Sequence, residues 1–245
     1  MKSRIGLFIL IGLFLYIVDY RFSYDEDLNQ IIIPDDEILG CGGLISKVKA
    51  NKGKVSIITV CNHLPPLYSE TDSKKVIEEM KKVHKVLKID KSFNLMYPAC
   101  LLHKEDQYKI NNIIFNIIKK IKPDYVFIPF PDRHQDHKLV FESSLVATRP
   151  KSNALFIKSL YAYEVISETF WNAGYVEANF IPDTFVDIKK HIKSKIRSLK
   201  IFKSQINKKL IERSTEAIEA LSILRGSQNG YKNAEAFKLI RSRID

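Results

Sequence analysis

Short apolar runs alternate with longer amphipathic stretches from about residue 29 onward. Ile31–Ile33 is apolar throughout, Val55–Val60 is β-branched, and Tyr125–Pro129 is again apolar, so each predicts a strand buried on both faces. Phe93–Met96, Leu160–Tyr163 and Phe185–Ile188 predict further strands. Between them, Ile38–Ala50 has helical periodicity. Ser73–Leu87 places Val76, Met80, Val83 and Leu87 on one face, and Tyr108–Ile121 is amphipathic up to Pro123. Lys138–Thr148 and most of Lys189–Leu224 also read as helix, and Ala234–Ile240 closes the pattern. Strands alternating with helices predict an α/β fold with parallel pairing and right-handed crossovers. No Gly/Ser/Pro-rich linker divides residues 29–245, so they are expected to form a single domain.

The stretch before it differs. Ile5 to Val18 carries no charge, follows Lys2 and Arg4, and precedes Asp25, Glu26 and Asp27. Residues 1–28 are therefore expected to be a separate hydrophobic segment, a membrane signal-anchor whose apolar helix lies outside the globular core. The apolar run is short of the roughly 20 residues that span a bilayer comfortably. The other expectation is a chain without a true anchor, which would place the protein in the cytoplasm.

Composition narrows the partners. The formal charge is +11, and its lysines are spread over helices instead of forming a stripe interleaved with aromatics. That pattern argues against nucleic acid and fits a solvated lysine-rich surface, with attraction to anionic lipid or an acidic sugar as the alternative. Three cysteines, Cys41, Cys61 and Cys100, give no disulfide framework and no metal-ligand spacing.

Two polar segments follow predicted strands: Pro34-Asp35-Asp36-Glu37 after the first, and Asp132-Arg133-His134-Gln135-Asp136-His137 after Tyr125–Pro129. Ligands of open parallel sheets bind beyond the carboxyl ends of strands. Two carboxylates and two histidines delivered there can make a metal-assisted hydrolytic site. At a strand-to-helix turn, one of the adjacent Asp35 and Asp36 can ligate a metal while the other faces substrate; the alternative is a pair of helix-capping acids. His134 and His137, three apart, can face one side of a helical turn, and Asp136 can orient either ring. Glu37 reads as a first-turn acid favoured by the helix dipole. The remaining histidines, His63, His84, His103 and His191, read as surface or loop residues. Gly40, Gly42 and Gly43 come after the acidic pair, which would repel a pyrophosphate. They therefore read as close packing of the first helix on the sheet, not as a dinucleotide fingerprint.

In order, Ile32-Ile33-Pro34-Asp35-Asp36-Glu37-Ile38-Leu39-Gly40-Cys41-Gly42-Gly43, His134-Gln135-Asp136-His137, Tyr163-Glu164, Phe185-Val186-Asp187-Ile188, Lys203-Ser204-Gln205 and Ala234-Glu235-Ala236-Phe237 resemble the LmbE/PIG-L family of zinc-dependent N-acetylglucosaminyl deacetylases. The resemblance implies a Rossmann-like three-layer α/β/α fold with a mainly parallel sheet, and hydrolysis of the N-acetyl group of a sugar or sugar conjugate. It implies Asp35 as general base, Asp36 and His137 as Zn²⁺ ligands, His134 as oxyanion donor or general acid, Asp136 as its support, and Glu79 as a sugar contact. The chain departs from the family at Ile33, where the first zinc-ligating histidine is expected. Three readings follow: a weak or inactive relative, a third ligand supplied from elsewhere, or an unnatural segment before Pro34. The rival function is a catalytically silent, membrane-tethered carbohydrate-binding relative.

Overall fold

The computed structural model describes residues 27–32, 34–151, 154–206 and 211–244. The hydrophobic segment at residues 5–18 and Ile33 lie outside them. Among the described residues no helix is long and apolar enough to cross a membrane.

Seven strands form one sheet: β1 (Asp27–Ile32), β2 (Lys54–Asn62), β3 (Lys91–Pro98), β4 (Tyr125–Pro129), β5 (Ser159–Tyr163), β6 (Thr184–Asp187) and β7 (Ala234–Ser242). Their order is β3-β2-β1-β4-β5-β7-β6. The first five named run parallel, whereas β7 pairs antiparallel with both β5 and β6. The mainly parallel sheet expected from the alternation is thus extended by an antiparallel edge. Among the described residues seven α-helices flank it: α1 (Asp36–Ala50), α2 (Glu70–Val86), α3 (Gln107–Ile121), α4 (Gln135–Ala147), α5 (Ile166–Thr169), α6 (Ile192–Leu199) and α7 (Thr215–Ser227).

Alternation along β4 explains the three layers. Tyr125 and Phe127 join a core with Ile38, Leu44 and Ile45 of α1 and Met80 and Val83 of α2. Val126 and Ile128 face the other way, onto Ile110, Ile114 and Ile118 of α3 and Val140 of α4. The strand order reverses between β1 and β4, whose pairing starts at Leu28 opposite Tyr125. Both polar segments leave the carboxyl ends of these two strands, so the topology itself brings them together.

Caps set the helix boundaries. The Ser69 hydroxyl accepts from Asp72 N–H at 3.1 Å, so α2 starts one turn before Ser73. The helix expected over Lys189–Leu224 is two helices: α6 ends at Leu199, and α7 begins afresh under the Ser214 cap, which accepts from Ala217 N–H at 3.1 Å. Ala234–Ser242 is a strand.

Helix α1, which carries the acidic pair at its start, packs unusually close. A Cβ on Gly40 would overlap the Tyr163 ring, and one on Gly43 would sit 2.7 Å from Ile188 Cγ2. Side chains from distant elements also bond its backbone. The Glu235 carboxylate accepts from Gly43 N–H at 2.8 Å and Leu44 N–H at 2.7 Å. Lys195 Nζ donates to Leu39 O at 2.8 Å, the carbonyl that Gly43 would bond in a regular helix, and pairs with Glu235 at 2.6 Å. Lys195 and Glu235 are both buried. Backbone groups bond both members of this ion pair, which offsets part of its desolvation.

Gly40→Ala is expected to destabilise the fold by about 1–3 kcal/mol, because the added methyl meets an aromatic ring buried on β5. Chemical denaturation measures this; an unchanged midpoint would contradict the close-packing account.

Candidate active site

The first loop is built on a single left-handed residue. Asp35 has φ 77° and precedes α1 without a side-chain capping bond. Aspartate tolerates this conformation better than most L-residues. Asp35 Oδ2 instead accepts from Arg213 Nη1 at 2.8 Å. Both Asp35 and Asp36 are only 3% exposed. Burial pushes the Asp35 carboxyl well above the ordinary range; the Arg213 guanidinium pulls it back, and Asp36 and Glu37 push it further up. A carboxylate made more basic in this way is suited to accept a proton.

The second loop sets two histidines in opposite roles. His137 Nδ1 contacts Asp132 Oδ1 at 2.8 Å, and its Nε2 contacts Asp36 Oδ2 at 3.0 Å. Asp132 is fully buried, and Oδ1 also accepts the His134 backbone N–H at 3.0 Å while Oδ2 accepts the Thr169 hydroxyl at 2.8 Å. This carboxylate fixes the proton on Nδ1 and aims Nε2 at Asp36, as ligating histidines are commonly held. Burial alone would lower the His137 pKa. Asp36 and then Asp132 outweigh it and raise the value to about 10.

His134 is the reverse. It caps α4, and its Nδ1 accepts the backbone N–H of Asp136 at 3.2 Å. The proton of the neutral ring therefore sits on Nε2. Burial lowers its pKa, and the neighbouring charge on His137 lowers it further. A neutral imidazole at a helix N-terminus is a hydrogen-bond donor of the kind that stabilises an oxyanion. The two rings stack, with centroids 4.7 Å apart.

The other expected residues fall into place differently. Asp136 does not bond either imidazole through its carboxylate; Oδ2 accepts from Cys100 N–H at 2.6 Å, and only its backbone N–H supports His134. Asp132 holds His137 instead, a residue in the quoted motif to which sequence assigned no role; its spacing of five from His137 was the available signal. Glu79 binds the backbone N–H and hydroxyl of Ser204 and does not line the pocket. Glu37 is wholly buried with its carboxylate 3.5 Å from His84, so neither is a surface residue. His63 stacks on Tyr68 and lines the pocket. His103 and His191 are peripheral.

Asp35, Asp36, His134 and His137 open onto a cavity of about 480 Å³, walled also by Gln205 and Arg213. Asp36 and His137 suit a divalent cation, with a carboxylate oxygen beside a ring nitrogen whose partner nitrogen is already held. Among the described residues no third donor joins them. Among the described residues the sole triad of His, Cys, Asp or Glu ligand atoms within 4.8 Å of one another is Cys100, His134 and Asp136, which does not include that pair. His134 Nε2 carries its proton, so this triad is poorly made for a metal. Among the described residues Asp36 and His137 thus offer two candidate ligands and do not fit the three-ligand arrangement of a catalytic zinc site.

Linkage gives a test in the metal-free protein. Because the folded pKa of His137 is raised from 6.5 to about 10, its stabilisation is complete below 6.5 and is lost as pH rises through 10. Asp132→Asn should remove about 3–5 kcal/mol at neutral pH by breaking a buried pair, and should flatten this pH dependence. Denaturant unfolding between pH 6 and pH 10.5 checks both; parallel curves for the two proteins would contradict the assignment.

Comparison with known proteins gives the same picture. The family PIG-L, described as GlcNAc-PI de-N-acetylase, matches residues 34–148. No curated protein matches the chain. Among solved structures, a conserved protein of Thermus thermophilus shares 21% identity over 90% of this chain and 97% of its own, with a TM-score of 0.71. The N,N'-diacetylchitobiose deacetylase of Pyrococcus horikoshii shares 16% identity over 98% and 94%, with a TM-score of 0.71. A deacetylase of teicoplanin biosynthesis shares 16% over 89% and 100%, with a TM-score of 0.66. At these identities the structures establish the fold, which is the α/β/α fold of LmbE/PIG-L deacetylases. Residues 34–148, which contain both polar loops, are similar to the PIG-L family.

Proposed function

We propose that this chain is an N-deacetylase of an N-acetylglucosamine-type sugar or sugar conjugate, with residues 29–245 as one catalytic domain. The observation that carries the reading is the convergence of Asp35, the Asp132–His137–Asp36 chain and a His134 Nε2 donor on one cavity. The PIG-L match over residues 34–148 and the deacetylases among the structures of similar fold support it.

In this reading the acetamide lies between the two loops. Asp35 takes a proton from the attacking water and later returns it to the leaving amine. His134 donates Nε2–H to the carbonyl oxygen as negative charge builds there. Asp36 and His137 would hold a zinc ion, with Asp132 holding His137 in register, and Asp136 keeps His134 in its donor tautomer through the backbone. With a full ligand set, zinc would supply Lewis acidity toward the amide and its water. The products are acetate and a free amine on the sugar.

The two-ligand arrangement favours a second reading, a sugar-binding relative with little turnover. Ile33→His separates the two. The added imidazole is expected to tighten Zn²⁺ by roughly 100-fold or more, about 2.8 kcal/mol, and to raise acetate release from an N-acetylglucosamine conjugate. Zinc stoichiometry and acetate release, measured on both forms at matched folded concentration, decide the matter. Full zinc occupancy of the unmodified chain would contradict the missing-ligand argument. Tight zinc without acetate release in Ile33→His would favour the binding protein.

A further inference from the structure

Arg213 lies beyond residues 34–148, in the 3₁₀ turn Ile211–Arg213, yet its guanidinium reaches the first loop. Nη1 donates to Asp35 Oδ2 at 2.8 Å and to Gln205 Oε1 at 3.2 Å, and Nε donates to Ser167 Oγ at 3.1 Å. Acceptors from three separate segments therefore fix the plane of the fork. Nη2 has no acceptor among the described residues, and Arg213 lines the cavity. The wall continues through Gln205, whose Nε2 lies 3.4 Å from His63 Nδ1, to the ring of Tyr68 stacked on His63 at 4.2 Å. One oxygen of Asp35 is held by Arg213; the other makes no hydrogen bond among the described residues.

We propose that Arg213 is both the positioning residue of the Asp35 carboxylate and a specificity determinant, its free Nη2 donating to the hexosamine hydroxyl next to the acetamido group. The inference rests on the deacetylase reading. A guanidinium can serve both roles at once because its donors are coplanar and rigidly spaced. With Nη1 committed to Asp35, Nη2 is set beside the base, where the group neighbouring the scissile amide must lie. A lysine ammonium cannot hold Asp35, Gln205 and Ser167 in one plane and still present a directed donor.

The test compares binding of the methyl glycoside of N-acetylglucosamine with its 3-deoxy analogue, by calorimetry, to the full chain, Arg213→Lys and Arg213→Ala. The unmodified protein should prefer the hydroxylated sugar by roughly 10–100-fold, the range for a hydrogen bond to a charged group. Both variants should lose that preference, and added guanidinium should restore it to Arg213→Ala, a rescue that a merely structural role would not show. A retained preference in either variant overturns the specificity role. A thermal-unfolding cycle with Asp35→Asn tests the pairing separately: coupled effects support it, and additive effects overturn the positioning role. If the unmodified chain binds neither glycoside, the sugar-pocket reading falls together with the hydroxyl contact, and the cycle still decides the Asp35–Arg213 pairing.

Discussion

The Asp132 carboxylate determines which nitrogen of His137 faces the cavity, and the candidate chemistry depends on that choice. Oδ1 accepts from His137 Nδ1–H and also from the His134 backbone N–H, so one buried oxygen registers both histidines. Three residues apart on the same turn, the two imidazoles end with different protonation patterns. His137 presents Nε2 to Asp36, where a cation or a proton belongs. His134 presents an Nε2–H, because its Nδ1 is occupied by a helix N-terminal N–H. In the proposed reading the same residue type serves as ligand and as donor, separated only by what bonds the far nitrogen.

The scaffold makes this possible by placing two strand ends side by side. β1 and β4 are adjacent and parallel, and each is followed by a helix whose N-cap and first turn hold the candidate site residues. Helix α1 is pressed onto the sheet at Gly40 and Gly43, and the buried Glu235–Lys195 pair locks its second turn. Residues from the far end of the chain, Glu235 and Arg213, therefore brace the helix and the carboxylate that begin the first loop.

Much of this was legible in the residues. Period-two and all-apolar runs marked the strands, and both loops were visible as polar segments after them. The Gly40–Gly43 packing followed from an acidic pair that no pyrophosphate would tolerate. What stayed hidden was tertiary. Asp132 and Asp136 flank the same histidines, and only the turn geometry after β4 decides that Asp132 bonds the ring while Asp136 bonds Cys100 N–H. Arg213 meets Asp35 across 178 positions, a pairing no local pattern encodes. His84 looks like a solvated polar residue until the fold buries it beside Glu37. The antiparallel β7 was missed because a strand at the chain's end carries no crossover signal.

The opposed states of the two histidines are the central claim, and ring-nitrogen NMR of the metal-free protein tests it most directly. At neutral pH the account predicts His137 protonated on both nitrogens, releasing a proton only as pH approaches about 10, and His134 neutral with its single proton on Nε2. A His134 ring carrying its proton on Nδ1, or a His137 ring already neutral at pH 7, would contradict it.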